Sequence, residues 1–483
     1  MTNATPSAPP SASSTGADTA ASVPTAGIGV ITGRPAVRLV AALITAVVAY
    51  QLNATMVAPT LPDIARTFSA STTQIAQVSS LFFLAGSVAG VVATRWSDFL
   101  GRRRMLMIVL TIAAIGSVVA LFSPNLPVLL GARVLQGIAC GSFHITFVVL
   151  GARLQPKTFA VVVAVLSAIN GRVAGFDGVL GGFLADRFGF RSVFLVIVAV
   201  AVIALVAVGV TMPRHEVGLI EGRMDWWGAA LMTVVLIALT KLVAHGSAQG
   251  WGAETTLIYI AIFVVSAVAF TLVERRRHDP LINPAHLVSR QIWPLLATTI
   301  LFTVAFSAVI YFTFVLFAQD TKVGYGLPAS VAALCYITPA AAIAALASPF
   351  TGWLTGRIGW TLTLRIGLTL NAAVIAFAAV FPQHRWAVMV ALACLGITYK
   401  GMCIAPVNGL GVLLSPRSAP GALPGLLGAA FGIGNGLGVT SVAATVGAGT
   451  LAGYTGGLWI SFFISLAALA TAFFVPRVLA QED

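Results

Sequence analysis

Four charged side chains stand where charge is least expected: Asp177, Arg133, Lys400 and Arg172 each interrupt a long apolar run. A charge at the centre of a bilayer costs ~2.5–3.5 kcal/mol on insertion scales, so one that is kept there faces a partner or a wet passage. Asp177 is the one acid read inside such a run. A carboxyl at that depth answers to desolvation and to any nearby cation, so its proton reports on its surroundings. That is the chemistry a proton carrier needs. Arg133 and Asp177 lie at similar depth, ~10 Å from the same end of their runs at ~1.5 Å per residue, and are expected to pair. Asn53 is level with them. Lys400 sits near the middle of its run, in Thr398-Tyr399-Lys400-Gly401, where it can hold an anionic or hydrogen-bonding part of a small molecule. The bland alternatives are a structural ion pair for Asp177 and Arg133, and for Lys400 a stem that snorkels to an interface.

Weaker polar groups surround these four. Asn170 lies seven residues from Asp177 and shares its helix face. Arg172, five residues away, falls ~140° round the helix and faces elsewhere. His144 can relay protons near neutral pH, although a packed, hydrogen-bonded imidazole is as good a reading. Gln136 and Asn435 add amides, and Tyr311 and Tyr399 add amphipathic rings suited to a binding cavity. Most amides in membrane bundles only bond helix to helix. Cys140, Cys335, Cys394 and Cys403 make no metal-ligand spacing and read as small packing residues.

The elements that hold these groups are membrane helices. Hydrophobic residues make up 58% of the 483 residues and charged residues 8%, too few to cover a water-facing surface. The apolar runs are continuous rather than alternating, which predicts helices and not barrel strands. Fourteen are long enough to cross, at roughly 37–58, 75–97, 104–122, 126–152, 158–183, 191–212, 226–245, 256–274, 293–317, 328–353, 361–381, 386–410, 420–448 and 455–478. The net charge of +13 follows their topology. With both termini cytoplasmic, Arg95, Arg102, Arg103, Arg104 and the run Arg275-Arg276-Arg277 fall on the inner side. The outer loops then keep only Arg66, Arg187, Arg191, Lys322 and Arg385. That asymmetry is the positive-inside rule, so lipid is the expected partner and nucleic acid is not.

The chain divides into a disordered cytoplasmic tail (1–36), a six-helix bundle (37–212), linkers with two inserted helices (213–292), a second six-helix bundle (293–478) and a short tail (479–483). A repeat joins the bundles. Ser97-Asp98-Phe99-Leu100-Gly101-Arg102-Arg103-Arg104 follows the second helix of the first, and Gly352-Trp353-Leu354-Thr355-Gly356-Arg357-Ile358-Gly359 the second helix of the other. Parallel six-helix halves with a midplane site between them are a build of secondary transporters. No Gly-x-x-x-x-Gly-Lys-Ser/Thr loop and no His-Glu-x-x-His motif appears, so ATP-driven transport and zinc hydrolysis are unsupported. No enzyme activity, metal or cofactor is expected.

On these residues the chain resembles the major facilitator superfamily, and within it the fourteen-span drug:proton antiporters. Asp98, Gly101, Arg102 and Arg103 match the superfamily's loop signature, with Thr94 and Phe99 departing from it. Arg133, Gln136 and Gly137 match the fourth-span signature, and Asp225-Trp226-Trp227-Gly228 opens the seventh span as in the fourteen-span branch. The resemblance implies a monomeric, proton-coupled carrier of the cytoplasmic membrane. It exports a small organic solute by alternating access, with spans 1, 4, 9 and 12 lining its cavity. It also implies that Arg133 takes part in proton coupling and that Asp98 and its arginines form a conformational switch.

Two departures favour an alternative, proton symport or facilitated import of a small polar or anionic metabolite. The first span reads Leu52-Asn53-Ala54-Thr55 where the family places an Asp in the Asn53 position. The fifth carries Asp177-Gly178 in place of the antiporters' Gly-Pro. Three basic residues against one acid point to an anionic or strongly polar solute. A non-transporting receptor is a third reading, against which stands the lack of any large soluble output domain.

Overall fold

A computed structural model describes residues 31–155, 176–213, 224–277, 289–415 and 422–476, with Thr158, Val162 and Leu166. Of the expected 1–36 tail, residues 1–30 lie outside the described residues, as do 479–483, most of the two linkers, Asn170 and Arg172, whereas Gly33 already opens the first helix, Gly33–Thr55. Every regular element among those described is helical. Twelve of these helices are long and apolar enough to cross a membrane. Span numbers below follow the fourteen expected stretches. Span 5 is described only in part, as helix over 176–188. Span 10 runs as two helices, Ala329–Tyr336 and Thr338–Ile358, meeting at Ile337. Pro339 opens the second of them, a position where its missing N–H costs no helical bond.

Local chemistry sets where the helices begin and end. Ser71 and Gln74 close a reciprocal capping box on span 2 (Thr72–Leu100). Asn125 caps span 4 (Leu126–Arg153) by accepting the Val128 N–H at 3.1 Å. Asp225 and Thr450 cap spans 7 and 14 in the same way. The repeat in the sequence is a repeat in the backbone. Gly101 (φ +95°, ψ 139°) turns span 2 into span 3, and Gly359 (φ +87°, ψ 157°) turns span 10 into span 11. Residues with a Cβ do not adopt those angles without strain, which is why both copies keep this glycine.

Glycines also build the seam between the halves. Span 13 (Ala422–Val446) meets the first half through one face and its own half through another. A Cβ on Gly432 would fall 3.2 Å from Phe83 O, and one on Gly436 3.2 Å from Ser80 O, both on span 2. Gly434 faces span 9, with Ile300 O and Thr303 Cβ each 2.7 Å from where its Cβ would stand. With so little side chain between them, the backbones come close enough for dispersion to hold the helices, as membrane helices require. Span 7 (Trp226–Gln249) lies across this seam, packing Met232 and Leu236 near Val88 and Val91 of span 2 and Ile433 of span 13.

Gly434→Val should therefore overpack the seam and destabilise the protein by about 1–3 kcal/mol. Gly425→Val on the same helix should be near neutral, because nothing lies within 4 Å of its added Cβ. Thermal unfolding of both variants in detergent, with a lower midpoint for the first only, checks this.

Candidate functional site

The framework of the site is Arg133, among the largest fully buried side chains described. Its guanidinium donates to Val78 O at 2.8 Å on span 2, to Asn53 O at 3.1 Å on span 1 and to Gln136 Oε1 at 2.8 Å on its own helix. Gln136 in turn donates to Ser117 Oγ on span 3 at 3.0 Å. The guanidinium also lies over the Phe82 ring, 4.3 Å from its centroid. One cation thus ties spans 1 to 4 together. Span 4 leaves regular helix between Gly137 and Cys140, directly after this knot.

The expected Asp177–Arg133 pair is not what the structure holds. Asp177, buried on span 5, accepts a short hydrogen bond from the Thr55 hydroxyl on span 1 through Oδ2. Its other oxygen, Oδ1, is buried and has no hydrogen-bond partner among the described residues. Among the described residues, Lys400 of the opposite half is a cation within electrostatic reach of Asp177. Similar depth placed Arg133 and Asp177 on one level but said nothing of the direction each helix turns them. Arg133 faces the spans of its own half, and its donors go to carbonyl oxygens and an amide.

Lys400 and two expected binding residues occur on unusual backbone. Residues Gly396–Ile404 of span 12 and Ala308–Thr313 of span 9 are π-helical. Widened turns of this kind gather at functional sites because they re-aim side chains and loosen the hydrogen-bond ladder. Tyr399 and Lys400 lie on the first, Tyr311 on the second. The Tyr399 ring stacks on Phe306 at a centroid distance of 3.5 Å, 1° from parallel. Tyr311 meets Phe306 edge-on at 5.7 Å and lies beside Phe83 of the first half at 6.4 Å. Phe83 continues to Phe82 and Tyr50. A chain of rings therefore crosses from one half to the other.

Asn435 faces the same space. Gly432 and Gly436 point to span 2, and Gly434 and Gly438 to span 9. At ~100° per residue, Asn435 falls in the angle between those neighbours. Its Oδ1 is buried without a partner, as is Asn53 Oδ1, whose amide nitrogen donates to Ala49 O at 2.8 Å. His144 sits further toward the Asp98 end, its Nδ1 3.0 Å from Cys140 O and its ring between Gly90 and Gly428. Around Gly101, Asp98 pairs locally with Arg95 at 3.6 Å, and Arg103 donates to Gly209 O of span 6 at 2.8 Å. Arg102 follows Gly101 at the start of span 3. Among the described residues no cluster of His, Cys, Asp and Glu is placed to hold a metal ion. Sequence reasoning missed Thr55, Phe306 and Phe83. Thr55 was legible as the threonine of the first-span signature, but nothing in the sequence sets either Phe apart from other apolar positions.

A family model described as Major Facilitator Superfamily matches residues 43–439. The chain is 33% identical over 393 residues to a uridine/deoxyuridine transporter of Lactococcus lactis, covering 80% of this chain and 82% of that protein. It is 28% identical to the multidrug resistance protein Stp of Mycobacterium tuberculosis, covering 77% of this chain and 68% of that one. In fold it is similar to the POT family transporter PepTSo, with a TM-score of 0.65, 14% identity and coverage of 90% and 97%. The same holds for the xylose transporter XylE of E. coli, with a TM-score of 0.62, 12% identity and coverage of 92% and 99%.

Removing the guanidinium should cost more than packing alone. Arg133→Ala leaves Gln136 Oε1 without its donor, takes the guanidinium bond from two carbonyls and opens a cavity in a fully buried site, so a loss of about 3 kcal/mol or more is expected. Arg133→Lys keeps one donor head and should lose less. Denaturation of the purified variants measures both, and equal stability of Arg133→Ala and the parent would contradict the framework role.

Proposed function

The chain belongs to the Major Facilitator Superfamily, and we propose that it is a proton-coupled carrier that takes up a neutral nucleoside of the pyrimidine kind by alternating access. The observation that carries this reading is the opposed pair at the centre. Asp177 comes from one half and Lys400 from the other, with a free carboxylate oxygen and a row of aromatic rings in the same space. Their charges sum to zero. Arg133 keeps its charge but is turned to the framework, where its donors are taken up by neutral oxygens, so it offers a solute no hydrogen bond. This moves the expectation from an anionic solute to a neutral one. An anion would meet Asp177 and a cation Lys400, whereas a neutral ligand with hydroxyls can satisfy both. The rings suit a planar base, and base–aromatic stacking is worth ~1–3 kcal/mol. The 33% identity to a uridine/deoxyuridine transporter supports the same class.

A proton on Asp177 cancels one member of the pair. The attraction across the halves then falls, and Lys400 is left to the substrate. A ligand shifts the inward–outward equilibrium only by its difference in affinity for the two forms. Proton and nucleoside become coupled when each favours the same form. The excess of basic residues near Asp98 supports a cytoplasmic position for that end and for both termini. Asp98, Gly101, Arg102 and Arg103 then form the cytoplasmic switch region, and His144, Asn53, Gln136 and Asn435 line or support the path. The Asp177-Gly178 step, standing where antiporters carry Gly-Pro, favours uptake over exchange. Export of a planar drug is the second reading, favoured by the likeness to Stp.

In proteoliposomes with an acidic exterior, labelled uridine should accumulate above its equilibrium level. Asp177→Asn should abolish the accumulation while leaving equilibrating exchange. Absence of nucleoside flux in the parent, with pH-driven movement of a cationic dye, would replace this reading with the second.

A further inference from the structure

The other seam between the halves ends in a charge that the transport reading does not use. Span 5 lies along the first helix of span 10, Ala329–Tyr336. Gly178, Gly182 and Asp186 stand four residues apart and share one face. A Cβ on Gly178 would lie 3.7 Å from Ile337 and 3.8 Å from Ala333, and one on Gly182 only 2.6 Å from the Ser330 backbone. Val179 packs beside Val315, Ala333 and Ile337. At the tip of this stripe the Asp186 carboxylate crosses to the other half. Its oxygens accept from Ala329 N at 3.1 Å, Ser330 N at 2.9 Å and Ser330 Oγ at 2.5 Å. These are the free N–H groups of a helix start, where a negative charge is favoured. Nearby, Gln319 Nε2 donates to Pro59 O at 3.1 Å, a second bond between the halves.

We infer that Asp186 is a bolt that holds this end of the carrier shut by capping a helix of the opposite half. A cap is normally supplied by the residue just before its helix. Here the residue in that place is Pro328, which has no side-chain oxygen to offer, and the cap comes from the other half instead. The helix start is therefore fully satisfied only while the two halves touch. When they part, the carboxylate and the amides must both turn to water. The bolt sits at the solvent rim, so it sets a bias rather than a lock, and water can replace it each cycle. The close backbone approach at Gly182 makes the fit short-ranged, so a small separation breaks all three bonds together. Asp177, nine residues along the same helix, faces span 1 on the opposite side. A tilt of span 5 that follows changes at Asp177 thus acts directly on the bolt.

This inference rests on the alternating-access reading, and its test separates the two. A reporter cysteine replaces Ala332, which is buried near Pro59, Ile310 and Tyr336 at the closed end. The background carries Cys335→Ser. Full-length protein in liposomes is labelled with a membrane-impermeant maleimide. Asp186→Ala should label roughly fivefold faster than the parent, the effect of losing one helix cap. Asp186→Asn, which keeps an acceptor, should lie between them. Ser330→Ala removes one donor at the rim and should give a smaller rise, which guards against misfolding of the Asp186 variants. Unchanged labelling in both Asp186→Ala and Ser330→Ala overturns the bolt. Faster labelling in a protein that carries no nucleoside upholds the bolt and removes the substrate reading instead.

Discussion

The constraint behind this molecule is that an ion taken out of water must be compensated by something fixed, and the fixed partner can belong to one body or to two. Arg133 takes the first course. Its donors end on spans 1, 2 and 4 of a single half, so its compensation survives any movement between halves. Asp177 and Lys400 take the second. Asp177 is held by Thr55 of its own half, and Lys400 of the other half lies within its electrostatic reach. Desolvated charges of this kind are costly when parted and gain strongly when paired. A rearrangement of the halves therefore changes the energy of both groups at once, and a proton or a ligand at that point has a difference in affinity to act through.

The packing is arranged to let such a rearrangement occur. Span 13 meets span 2 through glycines, and span 5 meets the start of span 10 through Gly178 and Gly182. Contacts of backbone on backbone carry few interlocking side chains, so they can be parted without repacking a core. The π-helical turns of spans 9 and 12 lie at the level of Tyr311, Tyr399 and Lys400. They loosen the helix ladder at that level and leave the ends regular. The buried, triply hydrogen-bonded Arg133 lies elsewhere.

Much of this was legible in the sequence because charge and apolar run-length are one-dimensional properties. The positions of Asp177, Lys400 and Arg133 in membrane helices, the two halves and the repeated glycine turn were all open to reading. So was the interruption of span 10 near Pro339. What the sequence concealed is azimuth. Depth along a helix follows from counting residues, but the direction of a side chain depends on how neighbouring helices pack. That is why Asp177, expected beside Arg133, is found with Thr55 of span 1. The π-helical turns left no mark either, since one extra residue per turn hardly disturbs an apolar run. The ring stack of Phe306 on Tyr399 depends on those turns and was hidden with them.

The central claim is that Asp177 and Lys400 act as one unit across the two halves. A double-mutant cycle on equilibrating uridine exchange tests it most directly, using Asp177→Asn, Lys400→Gln and the two combined. If the pair is a unit, Lys400→Gln alone leaves the Asp177 carboxylate without its cation and slows exchange, and the double variant returns to the rate of Asp177→Asn, because no unpartnered member of the pair is left. Losses that simply multiply, with the double variant worse than both, would show two groups working separately and contradict the account.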